Sequence, residues 1–298
     1  MKGRYDQNPQ NCEKITMSSP RAVLITGCSS GIGLCAAKML QQQGFHVIAS
    51  ARKPDDVQQL RDSGFDAVQI DVSDRRSIDA GVAETLKLTR GKLYGLFNNG
   101  AYGQPGAVED LSWDALETQL RTNLLGWHEL TRQIIPIMRR EGEGRIIHNS
   151  SVLGFVAMPY RGAYNCSKFA LEGLTDTLRL ELHGTGIQVS LLEPGPIRSR
   201  FRDNAKKAFE RFINPIGSPH QANYQAMAAR LEKEGDAAPF TLDPEAVVKS
   251  VLHALTAENA KPRYRVTFPT HLFWWLKRIL STKAMDRILR KASGDGAR

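Results

Sequence analysis

The sequence predicts a doubly wound α/β fold, a mostly parallel sheet with helices on both faces in a single domain. Three observations predict it. Short apolar runs at 21–25, 46–50, 66–70, 93–98, 145–149 and 187–192 alternate with helical stretches, as a parallel sheet with crossover helices requires. The first run leads through a glycine-rich turn straight into a helical pattern. The 298 residues can bury a sizeable core, and no second glycine turn, internal repeat or Pro/Ser-rich linker divides them.

The first run is Arg21-Ala-Val-Leu-Ile25. It is followed by Thr26-Gly27-Cys28-Ser29-Ser30-Gly31-Ile32-Gly33 and then by a helical pattern from Leu34 to Gln43. Glycines at this spacing let the backbone turn tightly and approach a pyrophosphate, which rests on the positive end of the helix dipole. The flanking strand and helix distinguish such a turn from an ordinary glycine loop. The second run ends in Ala51-Arg52-Lys53, with no carboxylate at positions 48–52. A site for NAD usually carries an acid here for the ribose 2′-hydroxyl, whereas an arginine accommodates a 2′-phosphate. Arg52, helped by Lys53 and with Ser29 or Ser30 as a further donor, therefore argues for NADP(H) as cofactor.

Further along, Tyr164-Asn165-Cys166-Ser167-Lys168 places a phenol and an ammonium four residues apart, on one helix face. A free phenol titrates near 10, and a neighbouring cation favours its ionised form. The expectation is a phenol pKa pulled down by Lys168, so that Tyr164 exchanges a proton with an alcohol or carbonyl near neutral pH.

Five elements in order now resemble the short-chain dehydrogenase/reductase family, in its single-domain branch. The family's TGxxxGxG turn is Thr26 to Gly33. Asp71-Val72 follows the third run, as the adenine-contacting pair does. Asn98-Asn99-Gly100-Ala101 resembles the NNAG element, with its two small residues exchanged, for which little effect is expected. Asn123 fits the helix asparagine of the active site. Ser150-Ser151 precedes Tyr164, and Ser151 stands thirteen residues before it, as the family's catalytic serine does. Downstream, Pro194-Gly195-Pro196-Ile197-Arg198-Ser199 is similar to the nicotinamide-holding segment. The resemblance spans roughly residues 21–200. Phrases such as Gly44-Phe-His-Val and Leu93-Tyr-Gly-Leu-Phe-Asn-Asn are similar to bacterial NADP-dependent aldehyde reductases of the family, and retinol and 17β-hydroxysteroid dehydrogenases share much of this wording.

The resemblance implies a Rossmann domain and a set of roles. Gly27, Ser30, Ile32 and the first helix, with Gly31 and Gly33 in the turn, hold the pyrophosphate. Arg52 holds the 2′-phosphate. Asp71 and Val72 bracket the adenine and Asn99 the adjoining ribose. Tyr164 and Lys168 touch the nicotinamide ribose, while Ile197 and Ser199, in the segment with Pro194 and Gly195, take the carboxamide. Ser151 and Tyr164 hydrogen-bond the substrate oxygen, and Asn123 holds a water that relays protons through Lys168. A homodimer or homotetramer, assembled through helices flanking the site, is implied in the same way. His148 is expected to be a packing residue of the sheet.

Substrate choice is assigned to residues 197–242, read as a lid with Phe201, Phe209, Phe212, Ile213, Tyr224, Met227 and Leu231 on its inner side, before a helix starting at Thr241–Glu245. Leu153, Phe155, Met158 and Tyr160 offer a second wall. A lipophilic aldehyde or ketone is expected, or a retinoid or steroid; Arg161, Arg198 and Arg200 keep an anionic substrate group open. A non-catalytic NADP-binding sensor is the rival reading, against which the intact Tyr164, Lys168, Ser151 and Asn123 argue.

Cys12, Cys28, Cys35 and Cys166 form no CxxC pair, which suits a reducing cytoplasm, and no His/Cys/Asp cluster has metal-ligand spacing. Residues 1–20 are polar, without a signal-peptide core, and read as a disordered extension in which Met17 is an alternative start. The dehydrogenase domain is expected over 21–265. The net charge is +9, yet residues 261–298 alone carry ten Lys or Arg against two acids. The tail 266–298 also holds Phe268, Phe273, Trp274 and Trp275, broken by Lys277-Arg278, and is too short to span a bilayer. It reads either as an interfacial helix on anionic lipid, placing the protein peripherally at the inner membrane surface, or as a helix packed on its own domain or across a dimer. Nucleic acid is not expected as a partner, because the remaining chain is near neutral and the aromatics are not interleaved with basic residues.

Overall fold

A computed structural model describes residues 20–232, 235 and 238–294. The expectations for the N-terminal extension, its alternative start at Met17 and Cys12 lie outside these residues, as does the side chain of Leu231.

Seven strands form one sheet: β1 (Ala22–Ile25), β2 (His46–Ala51), β3 (Asp66–Gln69), β4 (Gly95–Asn98), β5 (Gly144–Asn149), β6 (Ile187–Glu193) and β7 (Arg263–Arg265). Their order is β3-β2-β1-β4-β5-β6-β7 and every pairing is parallel. The helices are α1 (Gly31–Gln42), α2 (Pro54–Asp62), α3 (Arg75–Leu88), α4 (Trp113–Leu120), α5 (Gly126–Glu141), α6 (Gly162–Glu181), α7 (Phe201–Phe212), α8 (Gln221–Glu232), α9 (Pro244–Thr256), α10 (Phe268–Ile279) and α11 (Thr282–Ser293).

The two-residue period of a strand divides the core into two layers. Val23 and Ile25 of β1 face α1 and α9, among Ala36, Leu40, Val247 and Val251. Leu24 faces the other way, into a layer with Ile78, Val82, Trp127, Leu130, Ile134 and Leu171 from α3, α5 and α6. Both sides of the sheet are thus covered, which is why its strands read as nearly continuous apolar runs.

The six expected strands are present within a residue or two. β7 was not expected. It is three residues long, and its two arginines conceal it; only Tyr264, between them, is buried. Residues 197–242 carry two helices, α7 and α8, and the tail 266–298 carries α10 and α11. No helix among the described residues is long and apolar enough to cross a membrane.

Candidate active site

The glycine turn, Asn99, Ser151 and the segment Pro194–Ser199 lie just beyond the C-terminal ends of β1, β4, β5 and β6, which are neighbours in the sheet. Arg52 and Asp71 follow β2 and β3 at the same edge, and Asn123, Tyr164 and Lys168 come from helical segments. In a doubly wound fold this edge is where ligands bind.

The turn after β1 cannot carry side chains at its glycines. Gly27 and Gly31 have φ of +73° and +56°. A Cβ at Gly27 would lie 2.6 Å from Gly100 Cα, and one at Gly33 would lie 2.2 Å from the Gly27 carbonyl oxygen. The turn is stapled to β4: Thr26 Oγ1 accepts from the amides of Asn99 and Gly100 at 2.8 and 2.9 Å, and Asn99 Nδ2 donates to Thr26 O at 3.0 Å. Ser30 caps α1 without a side-chain bond, Ser29 is exposed and Ile32 packs on the core. A backbone cradle at the positive end of a twelve-residue helix fits a dinucleotide's pyrophosphate. Ser199 reaches the same turn, its Cβ 3.0 Å from where a Cβ on Gly31 would stand.

Arg52 follows β2 directly and is exposed, as is Lys53, the N-cap residue of α2. Arg52 lines a groove of about 500 Å³ together with Gln69, Asp71, Arg76 and Ser77. Asp71 is already engaged, its Oδ1 accepting from Ser73 N and Ser73 Oγ at 2.9 and 2.7 Å. Val72 is buried, with its carbonyl so close to Gly126 that a Cβ there would lie 1.6 Å from the oxygen.

Tyr164 and Lys168 lie one turn apart on α6. Ser151, after β5, accepts from Leu153 N at 3.1 Å and hydrogen-bonds the Tyr164 phenol. Lys168 is buried; its Nζ donates to Asn149 O at 2.7 Å and stands 4.3 Å from the Trp127 ring centre and 5.7 Å from that of Tyr164. The expected effect of Lys168 on the phenol is not found. Burial pushes the Tyr164 phenol up to about 12, opposed first by the Ser151 hydrogen bond and then by the charge of Arg161. Lys168 is itself pushed down to about 7 by burial, against the pull of Glu172. Spacing foresaw the adjacency of the pair but not the desolvation of both groups, which outweighs it.

Asn123 sits in a π-helical turn, Arg121–Leu125, between α4 and α5. Such turns are frequent at functional sites. Its Oδ1 accepts from Tyr102 N at 3.2 Å, and its Nδ2 donates to Tyr102 O at 2.8 Å and to Ser167 Oγ at 3.4 Å. Both ends of the amide are therefore held, beside the residue that precedes Lys168. His148 is buried between Thr131 and Thr175, and burial lowers it to about 3, so it packs the sheet in the neutral form.

The segment after β6 is pinned on both sides. Pro194 O accepts from Val152 N at 2.9 Å, Gly195 packs so tightly on Thr267 that a Cβ would lie 2.1 Å from its Oγ1, and Ile197 bridges to Leu242. Phe201, the first residue of α7, stands edge-on to Tyr164 with ring centres 5.4 Å apart. Gly103 makes room for it, since a Cβ there would lie 2.8 Å from the Phe201 ring.

One apolar cluster packs against Tyr164, and a second takes in Tyr160, four residues before it. Tyr160 joins Phe209, Ile213, Tyr224 and Met227 of the lid. Leu153, Phe155 and Met158 join Phe273, Leu276, Met285 and Leu289 of α10 and α11, with Tyr164 packed against them. The four residues expected as one wall thus belong to two. The lid is tied down by Tyr224, whose hydroxyl accepts from Ala107 N at 3.0 Å and donates to Asp110, and by Ser218, which donates to Asp110 at 2.7 Å. Arg198 pairs with Asp243 and Arg200 lies 3.8 Å from Asp203.

The model of the short chain dehydrogenase family matches residues 21–209. The oxidoreductase YbbO of Escherichia coli K12 is 46% identical over 270 residues, covering 91% of this chain and 94% of the relative. The chain belongs to the short-chain dehydrogenase family. Another member, 17-beta-hydroxysteroid dehydrogenase type 6 of Bos taurus, is 32% identical over 91% of this chain and 88% of its own length. A short-chain dehydrogenase/reductase from Burkholderia phymatum, solved in complex with NAD, superposes with a TM-score of 0.73 at 24% identity, over 88% of this chain and 95% of that one; this likeness concerns the fold alone.

Within this short-chain dehydrogenase, several residues near the site escaped the sequence reading. Arg76 is a second cation in the Arg52 groove. Beneath Ser150, its Oγ 2.5 Å from Glu172 Oε1, lies a charged cluster of Glu172, Asp176, Glu193, Arg263 and Arg265. The signal available was Glu193 itself, an acid ending an apolar strand, which needs cations nearby. Among the described residues no group of three or more His, Cys, Asp or Glu could hold a metal ion.

Proposed function

We propose that this short-chain dehydrogenase is an NADP(H)-dependent oxidoreductase that interconverts a lipophilic aldehyde or ketone and its alcohol. The observation that carries the reading is the gathering of Tyr164, Ser151 and Lys168 beside an apolar cluster against which Tyr164 packs.

When bound, the nicotinamide supplies or accepts the hydride. Gly27, Ser30, Gly31, Ile32 and Gly33 would take the pyrophosphate, with Ser29 nearby. Asp71, Val72 and Asn99 would meet the adenosine, and Pro194, Gly195, Ile197 and Ser199 the nicotinamide end. Arg52, Lys53 and Arg76 supply positive charge where a 2′-phosphate would lie; this carries the preference for NADP(H), because the fold is equally compatible with NAD. Ser151 and Tyr164 would hydrogen-bond the substrate oxygen and stabilise the charge that develops there during reduction. Tyr164, held protonated by burial, gives up its proton to that oxygen. Lys168, with a pKa about 7, exchanges a proton at working pH and would bind the nicotinamide ribose. Asn123 would hold the water behind it.

The apolar cluster against Tyr164 supports a lipophilic substrate. A steroid or retinoid is the second reading, favoured by the likeness to the bovine steroid dehydrogenase. Exposed apolar residues on α4 and α6, Trp113, Phe169 and Leu180, support assembly into a homodimer or homotetramer.

The test is oxidation of NADPH, with NADH alongside, against long-chain aldehydes, retinal, steroid ketones and short polar carbonyls. Turnover should favour apolar carbonyls and NADPH. Tyr164→Phe should abolish it while leaving NADPH affinity within about threefold, because the lost hydroxyl serves the chemical step. Retained turnover in that variant would refute the assignment of Tyr164.

A further inference from the structure

We propose that the outer face of α10 docks this protein on an anionic lipid bilayer, so that the apolar substrate of the reading above is drawn from the membrane. The proposal rests on that reading for its substrate, but the docking itself stands on separate observations.

The tail was read from the sequence as either packed on the domain or laid on lipid. Its two helices have faces for both. On α10, Thr270 and Phe273 are buried, and Leu276 packs with Phe273 over Phe155 and Met158. On the opposite side Phe268, Leu272, Trp275 and Ile279 are 58%, 40%, 60% and 71% exposed. Their spacing of four, three and four residues puts all four on one stripe of the helix. A stripe that merely packed on its own domain would be covered, and among these four none is.

A second segment extends the stripe. Phe240, 61% exposed, lies with its ring centre 5.0 Å from that of Phe268, and Leu242 beside it is 39% exposed. Phe240 holds a φ of +62°, a conformation rarely adopted by bulky side chains, while presenting its ring to the outside. The end of the lid and the tail thus share one apolar surface. Single exposed apolar residues are ordinary, but a contiguous patch built from two segments marks an interaction surface.

Charge selects the occupant. Helices α10 and α11 carry six cations, Lys277, Arg278, Lys283, Arg287, Arg290 and Lys291, against one acid, Asp286. Arg278 flanks the stripe on α10, stacked over the Trp274 ring at 3.5 Å. On α11, Lys283, Arg287 and Lys291 are exposed, while Met285 and Leu289 on its other side are buried. A second copy of this chain would bring an equally positive tail against the first. An anionic bilayer complements the cations and accepts the Phe and Trp side chains at its headgroup boundary. The inner face of the same helix pair packs on Leu153, Phe155, Met158 and Tyr164. Lipid contact and the wall of the candidate active site are therefore two sides of one helical hairpin.

The test is co-sedimentation of the full chain with vesicles of phosphatidylcholine and phosphatidylglycerol in equal parts, and with vesicles of phosphatidylcholine alone. Binding to the mixed vesicles should be stronger, weaken with added salt, and fall at least about tenfold in the Leu272→Glu/Trp275→Glu variant. Both side chains are exposed, so the variant should melt with the wild type and keep its turnover of a water-soluble aldehyde. That turnover separates the two ideas: its absence in the wild type refutes the reading of the active site and leaves the sedimentation result standing. Docking is overturned if the wild type stays in the supernatant, or if the variant sediments as the wild type does. It is also overturned if the substitutions turn a wild-type dimer into a monomer, since the patch would then be a subunit interface.

Discussion

Arg263 Nε lies 2.9 Å from Glu193 Oε1, joining β7 to the buried end of β6. The same guanidinium reaches Glu172 at 3.1 Å and Asp176 at 2.7 Å on α6. Glu172 in turn holds Ser150, the neighbour of Ser151. One arginine thus sits among three carboxylates behind the active site. Removing one partner of a buried ionic cluster is costly because the others are left uncompensated. Arg263→Met should therefore destabilise the protein by about 3 kcal/mol or more near neutral pH. Burial already raises Glu193 to about 7, so protonation below that pH removes its charge and the deficit should shrink in acid. Thermal melts of wild type and variant across pH 5 to 8, roughly the range spanning that titration, check both statements. A constant deficit would mean that Glu193 is not the group left stranded.

Lys168 opposes stability to function. Its ammonium is buried, and its pKa falls from 10.5 to about 7. Below pH 7 the lysine is charged in both the folded and unfolded states, and the whole cost of burying it is present. Between 7 and 10.5 the folded protein releases the proton while the unfolded chain keeps it, so stability rises with pH. Lys168→Met removes that cost but loses one hydrogen bond to Asn149. It should abolish turnover and yet raise the cofactor-free protein's stability below pH 7 by about 1–3 kcal/mol, with the gain fading at alkaline pH. Melting curves at acid and alkaline pH, beside a turnover assay, test the pair of effects. A variant that is both inactive and less stable below pH 7 would contradict the account.

Close backbone packing makes two glycines behave differently. A Cβ at Gly126 would lie 1.6 Å from the Val72 carbonyl oxygen, which belongs to rigid backbone. A Cβ at Gly100 would meet Gly27 N at 3.3 Å, a contact that a shift of tenths of an ångström relieves. Gly126→Ala should cost at least about 3 kcal/mol, while Gly100→Ala should stay within about 1 kcal/mol of the wild type. Denaturant melts of the two variants give the comparison directly. The second result would bear on the expectation that the exchanged small residues after Asn99 have little effect.

What could be read from the sequence was local. The glycine turn shows itself because its strand and helix are contiguous with it, and Tyr164 and Lys168 because helical spacing brings them together. The apolar runs revealed six strands, since a sheet covered on both faces needs apolar residues on both. β7 stayed hidden because two of its three residues are arginines, and they are arginines because of Glu172 and Glu193, far away in the chain. The sign of the Tyr164 shift depends on burial, which no spacing encodes. The tail's alternatives were posed as exclusive because the sequence shows that a helix is amphipathic but not how many surfaces it faces; Phe273 and Trp275, two residues apart, look in different directions.

The proposed preference for NADP(H) rests on exposed side chains. Arg52 stands one residue beyond β2, where a carboxylate would accept the ribose hydroxyls of NAD and would repel a 2′-phosphate. Arg76, at the start of α3, lines the same groove. Two cations on one phosphate share the work, so Arg52→Ala alone should weaken NADPH only about tenfold in kcat/KM. Arg52→Asp goes further, because the new carboxylate adds repulsion to lost attraction. It should lower kcat/KM with NADPH by about a hundredfold and raise that with NADH, and Arg52→Asp/Arg76→Ala should prefer NADH outright. None of these side chains is near Tyr164 in the fold's order, so kcat at saturating coenzyme should change little. An unchanged NADPH to NADH ratio in the double variant would place the 2′-phosphate elsewhere and remove the basis for the NADP(H) reading.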